Sequence, residues 1–106
     1  MSVLGNYIKL EDGVRKRLHF RDHVFVDREI RDPVLGRMKT VRTLTMFVDE
    51  EDGVKCDKVL SVVQEKLAAA LAPYLPGKRY VNFTFTILRQ GTGFRSEFVV
   101  GVEPRG

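Results

Sequence analysis

Basic and aromatic side chains alternate along one stretch near the start of the chain. Arg17, His19, Arg21, His23 and Phe25 are each separated by one residue, and in a regular strand they share one face. This combination suits single-stranded nucleic acid, because arginines track phosphates while rings stack on bases, at about 1–3 kcal/mol per stacked base. A solvated strand face with Phe25 in the core is the alternative, since any exposed strand alternates with charge.

The sequence predicts a basic hairpin directly after this stretch. Residues 27–48 indicate two strands folded back through residues 32–36, where Pro33 fixes φ and Gly36 supplies a permissive φ. A projecting basic arm can clamp phosphates. Carboxylates at Asp27, Glu29 and Asp32 could instead pair with the cations across the strands and neutralise them. The basic residues of this hairpin are Arg28, Arg31, Arg37, Lys39 and Arg42.

The candidate nucleic-acid contacts extend beyond the hairpin to the other predicted strands. Cations would contact phosphates, and two phenylalanines would stack on bases. The candidates for phosphate contact are Arg17, Arg21, Arg28, Arg37, Lys39, Arg42, Arg89 and Arg95, and those for stacking are Phe25 and Phe47.

The sequence offers no metal or phosphate-loop motif. His19 and His23 lie four apart in a strand context, where they are not neighbours, and no cluster of cysteines or carboxylates completes a zinc set. The stretch 49–53, four acidic residues followed by Gly53, lacks the alternating ligand spacing of a calcium loop and indicates a solvated turn. Residues 90–93 join two predicted strands, so no helix N-terminus awaits a phosphate there.

Nucleophilic chemistry is equally unsupported. The single cysteine, Cys56, falls at the start of a predicted helix, a position that can activate a thiol, but no histidine is near it in sequence and a buried structural thiol is the default. No serine lies in a nucleophile-elbow motif. We therefore expect no enzyme activity, no catalytic residue, no metal and no cofactor.

Length and charge define the broad class of protein. The 106 residues predict one domain, residues 1–106. No apolar run approaches the roughly 20 residues of a membrane helix, and the N-terminus does not resemble a signal peptide. A single cysteine excludes an internal disulfide. Together these features predict a reduced, cytoplasmic location. The net charge of +4 lies entirely in residues 1–48. A thermally adapted, generically charged surface is the simpler explanation of that excess.

The elements that must position these side chains follow from hydrophobic periodicity. An extended lead-in over residues 1–13 is expected to pair at a sheet edge, and strands are predicted at 16–31 and 37–48, the first interrupted by a bulge or a break near residues 21–23. A helix is predicted at 56–75 and a second hairpin at 79–103. The class is α+β, with a mainly antiparallel sheet of four to five strands in the order β-β-β-α-β-β and one helix packed on one face.

One helix covers only one face of such a sheet. Phe83, Phe85 and Ile87 are expected beneath it, while the two faces of the first hairpin are almost equally apolar. The uncovered face can serve as a platform for nucleic acid or for a second subunit, which makes a homo-oligomer the main alternative. We place Thr43, Thr45, Phe47, Thr84, Thr86, Arg95 and Phe25 on that uncovered face.

Three segments together resemble a known family. The long basic hairpin over residues 27–48, the helix end over residues 67–75 with its Pro-Tyr-Leu, and the Phe-rich hairpin over residues 79–100 are similar to the ThermoDBP-related proteins of thermophilic archaea. The resemblance covers residues 17–103 and rests on element order and composition. It implies a small α+β protein that binds single-stranded DNA through a cleft of aromatic and basic residues. This chain has no tryptophan and no coiled-coil tail.

From the residues and the resemblance we predict a single-stranded nucleic-acid-binding protein, with DNA favoured over RNA. Binding would be largely electrostatic and independent of sequence. The alternative is a structural or interaction module that forms a homo-oligomer through the uncovered sheet face and has no nucleic-acid role.

Overall fold

The computed structural model of the chain describes residues 7–91 and 96–105. These residues form a five-stranded antiparallel sheet with the spatial order β3-β2-β1-β4-β5. The predicted α+β class and element order are confirmed. The strands are β1 (Arg15–Arg31), β2 (Met38–Glu51), β3 (Val54–Val62), β4 (Phe83–Gln90) and β5 (Glu97–Pro104), and β3 is joined to β4 by helix α1 (Glu65–Leu71) and two 3-10 segments, Ala72–Tyr74 and Pro76–Asn82.

The core lies between the sheet and α1. Phe20 of β1 packs at 5.1 Å from Phe85 of β4 and at 6.4 Å from Tyr80, measured between ring centroids. The helix contributes Leu67 and Leu71, both buried. Each such side chain stabilises the fold by roughly 1.5–3 kcal/mol when fully buried. Phe85 is fully buried and the more exposed Phe83 packs against Tyr74, so the predicted phenylalanine row does lie on the helix side.

The pairing of β1 with β2 has two register shifts, and the second one decides which side chains of β1 share a face. Phe20 pairs with Val48 and Asp22 pairs with Phe47, so Arg21 has no partner residue on β2. The predicted interruption is therefore a β-bulge, which reverses the alternation that follows it. The expectation of one face from Arg17 to Phe25 is wrong for this reason.

The bulge also corrects the predicted face of Phe25. Phe25 pairs with Leu44, and Leu44 pairs with Val62. Directly paired residues point to the same side of a sheet, and Leu44 and Val62 belong to the core. Phe25 therefore lies on the face that α1 covers and not on the open face.

The predicted helix over residues 56–75 is too long, because its first third is a strand. Asp52 and Gly53 have φ values of 53° and 84° and separate the paired residues Glu51 and Val54. Such a two-residue turn matches the right-handed twist of the strands it joins. The chain therefore folds back into β3, and α1 begins only at Glu65.

The expected pairing of the N-terminal lead-in at a sheet edge is confirmed for its described part. Tyr7 forms a parallel bridge with Val59 of β3, and the Ile8 backbone N–H donates to the Val59 carbonyl at 2.8 Å. At the other end of this segment, the Gly13 N–H donates to the Arg89 carbonyl at 2.8 Å. The segment thus connects β3 to β4 and buries Ile8.

The face opposite α1, here called the open face, carries the predicted threonines. Thr43 pairs with Val26 and Thr45 with Val24, and both alternate with the core residues Leu44 and Met46. Phe47 and Thr86 lie on the same face by the same alternation. Arg95, also expected there, lies outside the described residues.

Candidate nucleic-acid interface

The first hairpin extends past the rest of the sheet as a two-stranded arm. β3 pairs with β2 only as far as Leu44, and β4 pairs with β1 only over residues 15–18. Residues 26–43, here called the arm, therefore pair only within the hairpin among the described residues. The remainder of the described chain is here called the body.

The turn at the end of the arm is stabilised by Asp32. Its carboxylate accepts hydrogen bonds from the backbone N–H groups of Val34 at 2.8 Å and Leu35 at 3.2 Å. These bonds hold the pKa of Asp32 below its ordinary value. Gly36 adopts a φ of 68°, which a glycine accepts without steric cost. The positive φ predicted for Gly36 is confirmed, whereas the Asp32 hydrogen bonds were not predicted. They occupy one of the acidic groups that could have neutralised an arm cation.

The cations of the arm make no ion pair with any described residue. All ion pairs within 4 Å in the described ranges lie in the body. The arm has five basic and three acidic side chains, so an uncompensated positive charge remains. All five of its cations are exposed. They are Arg28, Arg31, Arg37, Lys39 and Arg42.

The body uses its charges differently. Glu51 accepts hydrogen bonds from Lys16 at 2.7 Å and Lys58 at 2.6 Å. Burial acts to raise the pKa of Glu51, but the two lysines outweigh it and lower the pKa, while the same contact raises the pKa of Lys58. These charges stabilise the join between β1, β2 and β3 and are not available for a ligand.

The register divides the charges of the arm between its two faces. Asp27 pairs with Arg42, and Glu29 lies on the same side; this is the face that continues toward α1. Arg28 and Lys39 lie on the open face. Neither arm strand places a carboxylate on that open face. The acidic group that acts on Lys39 is Asp32 of the turn, whose pKa Lys39 helps to lower, although the two make no ion pair within 4 Å.

Phe47 and Arg21 continue the open face into the body. The Arg21 guanidinium carbon lies 5.2 Å from the centroid of the Phe47 ring, a cation–π contact. Arg21 also reaches Asp57 at 3.4 Å, on the exposed surface. The open face thus runs from an arginine stacked on a phenylalanine to two unpaired cations on the arm.

Phe25 belongs to a separate place, a groove between the arm and α1. The ring is 48% exposed, and the Arg42 guanidinium lies 4.9 Å from its centroid. His23 contacts the ring edge-on at 5.8 Å and shares a hydrogen bond of 2.7 Å with the Tyr80 hydroxyl. The two phenylalanines predicted to stack on bases therefore lie on opposite faces and do not form one platform.

The groove has a volume of about 420 Å³. It lies where β3 leaves the sheet, and both Val41 and Arg42 of β2 line it, although consecutive strand residues point to opposite faces. The groove therefore borders the edge of β2. Its helix side is lined by Gln64, Glu65, Ala68, Ala69, Ala72 and Leu75.

The remaining predicted contacts are dispersed. Arg17 is on the open face and lies 3.7 Å from Glu103. Arg37 adjoins the arm turn, where its carbonyl accepts from the Asp32 N–H at 2.7 Å. Arg89 donates to the Leu10 carbonyl at 3.0 Å and to the Ser96 hydroxyl at 3.1 Å, so it holds the N-terminal segment against the sheet. Arg95 falls outside the described ranges.

The other candidate chemical groups have structural surroundings. His19 is buried between the Asp49 carboxylate at 2.6 Å and the Val81 carbonyl at 2.9 Å. Cys56 lies in β3 and not at a helix start, and burial, followed by the nearby Glu51 charge, raises the pKa of its thiol. The described residues contain no group of three or more potential metal ligands.

The sequence analysis missed the helix side of the groove. Gln64 and the alanines of α1 fall in the middle of the longer helix that the sequence predicts, where they have no role. The run Ala68-Ala69-Ala70 was the available signal, because small side chains on a helix leave space beside it. That space becomes a groove only because β3 ends at Val62. The sequence analysis predicted a helix from residue 56 and therefore contained neither β3 nor its end.

No protein-family model matches the chain, and comparisons with curated proteins and with solved structures find no matching protein. The resemblance to the ThermoDBP-related proteins therefore stays a prediction. Among the described residues, no helix is both long and apolar enough to cross a membrane.

Proposed function

We propose that the protein binds single-stranded nucleic acid along the open face, from Phe47 and Arg21 in the body to Arg28 and Lys39 on the arm. The supporting observation is the charge of the arm: its cations have no ion-pair partner in the described ranges, and the register leaves those of the open face without a facing carboxylate. Unpaired surface cations attract a polyanion and release its counterions.

The aromatic contact favours a single strand over a duplex. Bases in a duplex stack on one another, whereas those of a single strand can stack on a protein ring or on an arginine plane. Phe47 with its overlying Arg21 offers both surfaces. A two-stranded β-ribbon can also enter a DNA major groove, and binding to duplex is therefore measured alongside.

The first experiment is fluorescence-anisotropy binding to labelled single-stranded and duplex oligonucleotides of equal length, at two salt concentrations. We expect salt-sensitive binding with a preference for the single strand. Equal weak binding to both would mean that the positive charge acts generically. Absence of binding at low salt would reject the proposal.

A matched pair of variants tests the assignment to the open face. The double substitutions Arg28→Ala with Lys39→Ala, and Arg31→Ala with Arg42→Ala, each remove two arm charges. We expect the first to lower affinity more and to reduce the salt slope by about 0.7 for each phosphate that the protein no longer neutralises. Equal decreases in affinity would show that net charge, and not the open face, governs binding.

The stacking interaction has its own control within the chain. Phe47→Leu retains an apolar side chain but removes the ring, and should weaken single-strand binding by about 1–3 kcal/mol if one base stacks there. Phe25→Leu makes the same change on the other face and should have little effect. A larger effect at Phe25 would move the site to the groove.

A homo-oligomer formed through the open face is the second candidate. Val24, Val26 and Ile30 lie on that face with 41%, 38% and 44% of their surfaces exposed, and an apolar row of this kind is typical of an interface. Association through it would bring Arg28 and Lys39 of two copies together, which opposes this candidate. Light scattering across a range of concentrations and salt decides it: a monomer throughout excludes the oligomer.

A further inference from the structure

The edge of β2 in the arm is a free strand edge beside an apolar groove. Residues 38–43 pair with β1 on one side, and no other described residue pairs with them. β3 would have covered this edge had it continued past Val62, but the chain turns into α1 instead. Alternate backbone N–H and C=O groups of residues 38–43 consequently point outward with no strand to receive them.

The groove lies where the missing strand would place its side chains. A strand that extended β3 along β2 would direct every second side chain toward α1. There it would meet the apolar surface formed by Leu44, Val62, Ala68 and Leu75. The volume of about 420 Å³ falls within the range of roughly 300–1,000 Å³ that ligand pockets occupy.

Charge distinguishes this edge from the other edge of the arm. Residues 37–43 contain three basic side chains and no acidic one, whereas residues 26–31 of β1 contain two of each. A second copy pairing through the same β2 edge would bring six cations together, which disfavours self-association there. An acidic segment would be attracted to the β2 edge more strongly than to the β1 edge, provided that its carboxylates point away from Glu65 in the groove.

We propose that the β2 edge of the arm binds an extended acidic peptide as an added antiparallel strand, with alternate apolar side chains in the groove beside α1. Main-chain hydrogen bonds supply affinity in this mode of binding, and the pocket for alternate side chains supplies specificity. The site is distinct from the open face, although Lys39 adjoins both.

The test uses a short synthetic peptide in which glutamate and valine alternate. A peptide of the same composition with its valines grouped is the control for charge, and a version methylated on alternate backbone nitrogens is the control for main-chain pairing. We expect the alternating peptide to bind best. N-methylation should weaken it by about tenfold or more, since it removes several hydrogen bonds, each worth about a factor of two to ten.

Hydrogen exchange of the arm locates the bound peptide. We expect new protection at alternate amides of residues 38–43 and none at residues 26–31, which serve as an internal control. Ala69→Phe, at an exposed helix position that lines the groove, should weaken binding by filling the space while leaving the circular dichroism spectrum unchanged.

Several results would overturn the proposal. These are equal binding of the alternating and grouped peptides, unchanged affinity after N-methylation or after Ala69→Phe, protection of both arm edges alike, or no peptide binding. Protection of the same β2 amides by a single-stranded oligonucleotide would show that the edge belongs to the nucleic-acid site.

Discussion

β1 and β2 run through both the body and the arm, and the same two strands meet different surroundings in each. In the body, Phe20 is fully buried and contacts Phe85 and Tyr80, and Glu51 binds two lysines. In the arm, Ile30 is 44% exposed and the cations have no ion-pair partner in the described ranges. One continuous hairpin thus stabilises the fold at one end and leaves unsatisfied charge and backbone at the other, where a ligand can use them.

The comparison is tested most severely by deleting the same side chain inside the body and at the border of the arm. Phe20→Ala should lower the free energy of unfolding by about 3–5 kcal/mol, because it opens a cavity in the core. Phe25→Ala, five residues later on the same face, should cost about 1 kcal/mol or less, since its ring is half exposed. Denaturant unfolding with a common m-value measures both. Equal destabilisation would mean that the cooperative core extends to the border of the arm.

The charge cluster of the body should give an effect of intermediate size that depends on pH. Glu51→Gln weakens hydrogen bonds to two lysines, and bonds to charged groups contribute roughly 1.5–3 kcal/mol. Because the folded protein lowers the pKa of Glu51, its contribution is complete above the ordinary glutamate pKa of about 4.3 and is lost as the pH falls through the lower, folded value.

Unfolding curves of the wild type and Glu51→Gln should therefore differ at neutral pH and converge in acid. A difference that stays constant down to the acid limit would show that the carboxylate charge is not what the variant removes. Lys58→Gln provides the control on the other side of the ion pair, and should reproduce part of the same destabilisation at neutral pH.

A gain in stability is expected where the arm joins the body. The Thr45 hydroxyl is buried and finds no hydrogen-bond partner within the described structure, and an unsatisfied buried polar group costs about 1–3 kcal/mol. Thr45→Val keeps the shape and removes that group, so the free energy of unfolding should rise by about 1 kcal/mol. Thr84→Val, at a position that is only half-buried on the same face, is the control. A decrease in stability in Thr45→Val would mean that the hydroxyl is paired in solution.

Removal of the arm cations is expected to have the smallest effect on stability. Arg28→Ala with Lys39→Ala removes no ion pair that the structure describes, so the free energy of unfolding should change by less than about 0.5 kcal/mol. The same variant is expected to weaken nucleic-acid binding, and this separation of stability from binding is what the comparison of arm and body requires. A marked change in stability would show that these cations pair within the fold.

Local periodicity predicted much of this arrangement. The alternation in β1, β2 and β4, the turn over residues 32–36 with its permissive Gly36, and the Phe-rich row beneath the helix all follow from short-range chemistry. The start of the helix was predicted wrongly. Val59, Val63 and Leu67 fit a helical period, and this pattern hid the strong hairpin signal of Asp52-Gly53. Where two local patterns overlap, the pairing of β3 with β2 decides between them.

The candidate site was predicted less well than the fold because it depends on side-chain parity. The sequence correctly predicted which residues form the arm. The unpaired residue Arg21 reverses the alternation of β1, however, and so places Phe25 on the opposite face from Phe47. The hydrogen bond from Arg89 to the Leu10 carbonyl joins residues far apart in sequence, and no local pattern encodes it. Free strand edges are likewise invisible in sequence, since they are defined by where a neighbouring strand ends.

The bulge at Arg21 has a consequence for how such a chain can change length. Deleting or inserting one residue between Arg21 and Val26 would exchange the two sides of β1 beyond it, turning Arg28 toward the helix and Asp27 away from it. Removing or adding two residues in each strand keeps every side assignment and alters only the reach, in steps of about 6.6 Å. Related hairpins can therefore differ in reach by even increments while retaining the chemistry of each side.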